Sequence, residues 1–339
     1  MTQSDPATNK TREIRARRAA GSSSHGDVTD PTRGGTVVIA GASGFIGQAL
    51  AKRFRDDGWR VRTIGRGRDA DARWGDDLTR VLEGSHALVN LAGRSVSCRY
   101  NRRNTDAIFT SRVETTHALG EALAACVNPP AVWINSSTGT IYRDARDRAQ
   151  DESDGEIGEG LSVAVARAWE REMLDAPVDV RKVALRLTIV LGHGGALNPM
   201  INLARLGLGG RHGDGGQRVS WAHVDDVYRA VRFAITRPDL DGPLNVAAPQ
   251  VVTNAELMEA IRRHFGGLGR RIGMPLPAPL LEMGAVVIRT EAEMVLKSRW
   301  VASTRLREAG FEFAHPDLDE ALADIARSTP RGLLPVPLG

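Results

Sequence analysis

A chain of 339 residues with two cysteines, Cys98 and Cys126, can bury about three quarters of its unfolded surface, so neither a disulfide framework nor a structural metal is required. Basic residues (45) are nearly matched by acidic ones (41), no basic block stands out, and nucleic acid is excluded as the expected partner despite a net charge of +4. No apolar run reaches the ~18 residues needed to cross a bilayer and no hydrophobic signal core opens the chain, so no membrane partner is expected and a reducing, cytoplasmic setting is.

Residues 1–33 are rich in Ser, Gly, Arg and Asp with almost no large apolar side chains, and are expected to be a disordered tail. Asp5, Glu13, Asp27 and Asp30 speak against a transit peptide. The organised chain opens on Thr36 to Ala40, a β-branched run that predicts a buried strand, followed at once by Gly41, Gly44 and Gly47 in G-x-x-G-x-x-G spacing. Ile46, Leu50 and Phe54 then recur at four-residue intervals, which predicts an amphipathic helix ending near Gly58. Such glycines could simply make a tight turn. Between a strand and a helix, however, they let backbone amides and the positive helix end approach a pyrophosphate.

A second strand, Arg60 to Ile64, ends in Gly65-Arg66-Gly67-Arg68 where a carboxylate for a ribose hydroxyl would be expected. A guanidinium there suits the 2′-phosphate of NADP(H) better than the bare ribose of NAD(H), although the arginines could equally sit on an exposed loop without a ligand. Asp76 and Asp77 could cap a short helix carrying Leu78, Val81 and Leu82, and 86–93 reads as a third parallel strand ending in small Ala92 and Gly93. A long helix over 105–127 carries Phe109, Val113, Thr116, Gly120, Leu123 and Val127 on its core stripe, closed by Pro129 and Pro130. Ala131 to Ser136 is the next strand, delivering Ser136, Ser137, Thr138, Thr140 and Tyr142 to the same sheet edge. These hydroxyls either bind substrate or satisfy turn backbone.

Val165, Trp169 and Met173 mark a further helix, Val183 to Leu191 and Pro243 to Ala247 further strands, and 192–216 is a loop-rich segment of the kind that often meets substrate. His223 is either a base or ligand, or a hydrogen-bonded structural histidine, and no His/Cys spacing suggests a metal. Helices are expected at 253–265, 278–297, 302–308 and Leu318 to Arg327, before a Pro-rich end. The alternation of strands and helices gives an α/β class, a doubly wound parallel sheet of the Rossmann kind, over 34–250. A smaller, mainly helical substrate region follows over 251–339.

With these pieces in order, residues 36 to about 328 resemble the extended short-chain dehydrogenase/reductase superfamily. Within it the likeness is to the atypical "epimerase family" branch of NAD-dependent epimerase/dehydratase-like proteins with their own C-terminal domain. The carriers are G-A-S-G-F-I-G at 41–47, N-L-A-G at 90–93, S-R-V-E-T-T at 111–116, V-L-G-H-G-G-A-L at 190–197, G-Q-R-V-S-W-A-H at 216–223, N-V-A-A-P at 245–249 and R-L-R-E-A-G-F-E-F at 305–313. The resemblance implies that Gly41, Ser43, Gly44, Phe45 and Ile46 hold the pyrophosphate, Arg66 the 2′-phosphate, and Leu91, Ala92 and Gly93 the nicotinamide side. Thr138 and Tyr142 would face the reacting carbon of a small-molecule substrate, in related enzymes often a nucleotide sugar. The superfamily's Y-x-x-x-K pair does not carry over: its window falls on Ser162 to Ala166, and no other tyrosine stands four residues before a lysine. An NADP(H)-dependent oxidoreductase or epimerase is therefore one expectation, and a binding protein that has lost hydride transfer is the other.

Overall fold

Side chains alternate across a strand, so a strand buried on both faces must be apolar at every position and must sort its residues into two cores. The structure, a computed structural model, describes residues 34–96, 98, 100–267, 273–277 and 296–336. The expected disordered tail and most of the expected helix over 278–297 lie outside the described residues. The first strand, β1 (Thr36–Ala40), behaves as the rule demands: Val37 and Ile39 enter one core, Val38 and Ala40 the opposite one.

Chain order continues with α1 (Phe45–Asp56), β2 (Arg60–Gly65), β3 (Ala72–Arg73), α2 (Thr79–Leu82), β4 (Ala87–Asn90), α3 (Arg102–Ala125) and β5 (Val132–Thr138). A 3-10 turn at Gly139–Ile141 leads to α4 (Leu161–Leu174), β6 (Arg181–Leu187), β7 (Ile189–Leu191), α5 (Leu197–Arg205), β8 (Arg218–Val219) and β9 (Trp221–His223). The remaining elements are α6 (Val224–Thr236), β10 (Gly242–Val246), β11 (Val252–Thr253), α7 (Asn254–Phe265), α8 (Thr304–Glu308) and α9 (Leu318–Ser328).

Seven strands form one sheet in the order β10-β6-β5-β4-β1-β2-β3, every neighbour parallel. The order reverses between β1 and β4, where Ala40 stands beside Asn90. That reversal leaves a crevice beyond the strand ends, the usual ligand position in open α/β sheets. Helices α1 and α6 cover one face, with Phe54 edge-on to Tyr228 at 4.9 Å and Asp57 accepting from Tyr228 at 2.5 Å and Arg232 at 2.7 Å. The other core buries Leu119 and Leu123 of α3 and Met173 of α4 against Trp133.

A further core joins Leu197, Met200 and Ile201 of α5 to Trp221, to Leu257, Met258 and Ile261 of α7, and to Leu318, Leu322 and Ile325 of α9. It draws on both sides of residue 250, while Leu306 and Phe311 pack into the first core with the main sheet. The C-terminal region is helical as expected, but it is interleaved with the sheet domain.

Several expected boundaries shift for local reasons. The strand expected over Val183 to Leu191 breaks at Thr188, whose hydroxyl donates to Val246 O at 2.8 Å, so β7 pairs with β9 instead of continuing β6. The long helix begins earlier, because Asn101 caps it by accepting from Asn104 N, and ends at Ala125, leaving Val127 76% exposed outside the core stripe. Asp77 accepts from Thr79 N at 3.1 Å, but the residue at the head of α2 is Leu78, which has no side-chain cap. Helix α6 went unread in the sequence, although Val227, Tyr228, Val231 and Ala234 carry its period and Asp225 and Asp226 mark its first turn.

At the glycine turn, a Cβ on Gly47 would stand 2.4 Å from Gly41 O, and one on Gly41 2.8 Å from the backbone of Leu91 and Ala92. The turn packs helix, strand and switch point into one contact. Gly47→Ala is expected to lower unfolding stability by roughly 1–3 kcal/mol in urea denaturation, as overpacking against backbone does. Gly67→Ala, at a site with nothing within 4 Å, should stay within about 0.5 kcal/mol of wild type.

Candidate functional site

Helix α1 starts without a side-chain cap. Its N-cap is Gly44, exposed and extended, and the first helical amide bond runs from Gln48 N to Gly44 O at 2.8 Å. The amides of Phe45, Ile46 and Gly47 therefore precede the first intrahelical acceptor and carry the positive end of the helix dipole. By contrast α3, α6, α7 and α9 are capped by Asn101, His223, Thr253 and Asp317. A Cβ on Gly44 would meet protein only at Gly41 O, 3.5 Å away, and would otherwise project into the crevice. A diphosphate fits this cradle: bare glycine, open amides and a strand edge beside it.

Arg66 lies just past β2 and is exposed. It is two residues beyond Ile64, whose carbonyl accepts from Gly41 N at 2.9 Å. Ser43 is exposed at the turn, and Gln48 Nε2 donates to its carbonyl at 2.8 Å. Phe45 is covered by Gly192, Gly194 and Gly195, where added Cβ atoms would stand 2.8–3.1 Å from its ring. The expected loop-rich segment thus touches the glycine turn directly.

Across the switch point, Asn90 shapes the end of β4. Its Oδ1 accepts from Ala92 N at 3.0 Å while Nδ2 donates to Asn135 Oδ1 at 2.6 Å and to Thr116 Oγ1 at 3.2 Å. Thr116 also accepts from Trp169 Nε1 at 3.0 Å, which ties α3 and α4 to the sheet. All three polar residues Asn90, Asn135 and Thr116 are fully buried and satisfied, the condition under which such a network specifies one geometry.

Below Leu91 and Gly93 opens a cavity of about 280 Å³. Thr138, Ser136, Thr140 and Ser162 give it hydroxyls, Val165, Ala166 and Trp169 form its α4 wall, and Arg112 and Tyr100 close the α3 side. Thr138 is half-buried and its Oγ1 accepts from Thr140 N at 3.2 Å. Leu91, Gly93 and Thr138 are thus brought together as the sequence suggests. Ser162 and Ala166, on which the superfamily's Y-x-x-x-K window falls in the sequence, both line this cavity.

Tyr142 is not brought to that cavity. It is 2% exposed, its phenol oxygen accepts from Arg186 Nη1 at 2.8 Å and donates to Asn245 Oδ1 at 3.1 Å. Burial raises its pKa above the ordinary phenol value, against the lowering influence of Arg186. It borders a separate, more polar depression of about 420 Å³ with Arg143, Glu159 and Lys297. The reason is a buried ion pair that the sequence did not reveal: Arg186 donates to both oxygens of Glu170 at 2.8 Å, and Ser137 donates to the same carboxylate at 2.5 Å. The sequence places Tyr142 at the reacting carbon as an expectation; in the structure its phenol meets Arg186 and Asn245 and the residue lines the second depression.

Arg112 was also overlooked. It follows Ile108 and precedes Thr116 by one helical turn each, so an arginine occupies the buried stripe of α3, and that misplacement was the available signal.

His223 caps α6, its Nδ1 accepting from Asp225 N at 3.2 Å. With His315 and Asp324 it forms a grouping of ligand-type atoms within 4.8 Å. A neutral imidazole that accepts at Nδ1 carries its proton on Nε2, which is buried without a hydrogen-bond partner 3.6 Å from Asp324 Oδ2. The capping bond gives His223 a structural role at the head of α6. Asp225 pairs with Arg53 of α1, and fully buried Asp226 accepts from Ala314 N at 2.7 Å and His315 N at 3.0 Å.

The parallel sheet, its switch point and the open helix end define a Rossmann-type dinucleotide fold. A family model described as the NAD dependent epimerase/dehydratase family matches residues 37–247, and the chain belongs to that family. A domain of unknown function (DUF1731) matches 276–325. Human epimerase family protein SDR39U1, solved with NADPH, is 31% identical, with a TM-score of 0.78 over 87% of this chain and all of that one. An SDR39U1 homolog from Arabidopsis thaliana, named as chloroplastic, is 30% identical over 86% of each chain. A nucleoside-diphosphate sugar epimerase from Corynebacterium glutamicum is 25% identical, TM-score 0.70, over 94% of this chain and 62% of that one.

Burial pushes His212 and His223 down from 6.5 to about 4. Between those values the unfolded chain binds protons that the folded chain refuses, so each contribution is whole above pH 6.5 and is lost as pH falls toward 4. The slope is about 1.4 kcal/mol per pH unit for each histidine. Urea midpoints taken from pH 7 to pH 4.5 should fall, and the fall should flatten in His212→Gln and His223→Gln.

Proposed function

We infer that the chain binds NADP(H) and transfers hydride to or from a carbonyl or nucleotide-sugar-like small molecule. The observation that carries this reading is the uncapped start of α1 at the sheet's switch point, beside a cavity lined by Leu91, Gly93 and Thr138. The human relative solved with NADPH supports the cofactor, and the Corynebacterium relative supports a sugar nucleotide among the substrates to test. Bound nicotinamide would supply or accept the hydride. The chain's own residues do the rest: the amides after Gly44 hold the diphosphate together with the open turn at Ser43, and Arg66 pairs with the 2′-phosphate. Leu91, Ala92 and Gly93 let the nicotinamide side pass close to backbone, and Thr138 Oγ1 donates to the substrate oxygen.

Among the described residues no helix is long and apolar enough to cross a membrane. Cys98 and Cys126 are both free thiols, in keeping with the cytoplasmic setting we assign. The plastid assignment of the Arabidopsis relative makes an organelle the alternative setting. Residues 192–216 and the region after 251 are assigned to substrate closure, which the packing of Gly192 to Gly195 on Phe45 supports.

A second reading has its own observation. Ser162 and Ala166 occupy the place of the phenol and ammonium that drive proton transfer in the superfamily, which favours a binding protein that senses NADP(H) without turning it over. One experiment separates them. Calorimetry with NADPH and NADH, on wild type and Arg66→Ala, is expected to show NADPH weakened by roughly tenfold to a hundredfold, the worth of one charge-assisted contact. NADH should be little changed. Equal loss of both nucleotides would remove the basis for NADP(H), and no binding of either would remove both readings. NADPH oxidation is then followed with ketones, quinones and nucleotide sugars: turnover lowered by Thr138→Ala supports the enzyme, and tight binding without turnover supports the sensor.

A further inference from the structure

Several of the buried and half-buried arginines in this protein are neutralised or saturated. Arg186 has Glu170, Arg53 has Asp225, Arg232 has Asp57, and Arg181 donates to the carbonyls of Leu240, Ala234 and Ile235. Arg112 differs. Among the described residues no carboxylate lies within ion-pair distance of it, and its one hydrogen bond runs from Nη1 to Ile108 O at 3.2 Å, within its own helix. A guanidinium has five N–H donors, so most of its capacity is unspent.

Its position is fixed by packing. The guanidinium lies 4.9 Å over the Trp169 ring, and a Cβ on Gly93 would stand 3.1 Å from its central carbon. It is therefore held between the α4 wall and the end of β4, in the lining of the 280 Å³ cavity. Burial costs the cation enough to lower its pKa to about 10. A desolvated charge without a counter-ion is destabilising unless something else supplies one. The cavity lining beside it offers hydroxyls from Ser136, Thr138 and Ser162, and the ionisable groups acting on the guanidinium are the Tyr100 phenol and the Cys98 thiol, so no carboxylate of the described residues supplies a counter-charge there.

We propose that this cavity takes a compact carbonyl compound bearing a carboxylate, and that Arg112 is the residue selecting it by pairing with that carboxylate. The inference rests on the reading of the cavity as the substrate site and narrows its substrate class. A single guanidinium balances one negative charge, whereas a dianionic phosphate would leave a second charge desolvated, so a monoanion is the better match. The volume agrees: about 280 Å³ lies just under the usual range for small-molecule sites, suited to a nicotinamide ring and a short acid but not to a whole sugar nucleotide. The planar donor fork explains why arginine stands here in place of lysine, since it stacks on an indole while presenting paired donors to a carboxylate.

The test uses oxamate, a carbonyl-bearing monoanion, and oxamide, its uncharged analogue, titrated calorimetrically into the full-length protein with saturating NADPH. Oxamate is expected to bind at least about tenfold more tightly than oxamide, the worth of one charge-assisted contact. Arg112→Met keeps a long side chain against Trp169 and should abolish that preference, while Arg112→Lys restores part of it. NADPH affinity of Arg112→Met should stay within about twofold of wild type, and thermal unfolding is recorded for both variants. Equal binding of oxamate and oxamide, or binding of neither, overturns the proposal. So does a loss of NADPH affinity in Arg112→Met as large as the loss of oxamate, which would assign the guanidinium to the dinucleotide. Should wild type fail to bind NADPH, the dinucleotide reading falls by itself, and the same oxamate comparison without nucleotide decides the role of Arg112. If Arg112→Met does not fold, Arg112→Gln is put through the same comparison.

Discussion

The pairing of Arg186 with Glu170 is the constraint on which the site's layout depends. A strand arginine donates two hydrogen bonds of 2.8 Å to a helix carboxylate inside the protein, with each side chain less than a tenth exposed. Such a pair need not add net stability, because both ions lose their water. What it does here is positional. It locks α4 against β6, draws the Ser137 hydroxyl into the core and engages the Tyr142 phenol, and Asn245 extends the same network to Ala302 O at 2.8 Å. The cavity wall formed by Ser162, Ala166 and Trp169 sits where it does because α4 is held at Glu170, one residue along from Trp169.

Most of the architecture was legible in the sequence because it rests on local rules. Strand β1 and helix α1 announce themselves through β-branched composition and a four-residue apolar interval, and the glycine spacing between them reports a turn in which a Cβ would collide with backbone. What escaped was decided by distant partners. The break at Thr188 depends on the Val246 carbonyl, and the fate of Tyr142 depends on Arg186 and Asn245, which are 44 and 103 residues away. Helix α6 is a different case: its period is present in the sequence, but it follows β9 directly with no glycine or proline between them to mark its start.

The candidate site divides the same way. Its dinucleotide half is made of backbone, glycine and a helix end, features that a motif encodes directly. Its other half is made of side chains from α3, α4 and the end of β5, and the residue type at each position says little until the three elements meet. That Thr138 lines the cavity follows from its place at a strand end of the parallel sheet. Arg112 was hidden inside a stripe read as core, although a long cation in such a stripe is itself an anomaly.

The first turn of α6 carries two neighbouring carboxylates with opposite allegiances. Asp225 reaches Arg53 on the helix that follows the glycine turn, and Asp226, with no exposure at all, receives the amides of Ala314 and His315. One turn of helix is thus a shared anchor for the nucleotide half and the late part of the chain. A shortened version ending before Ala314 would take both amides from this buried carboxylate and leave it only Arg229, 3.7 Å away on its own helix, so a graft of either half onto another scaffold would have to bring this anchor with it.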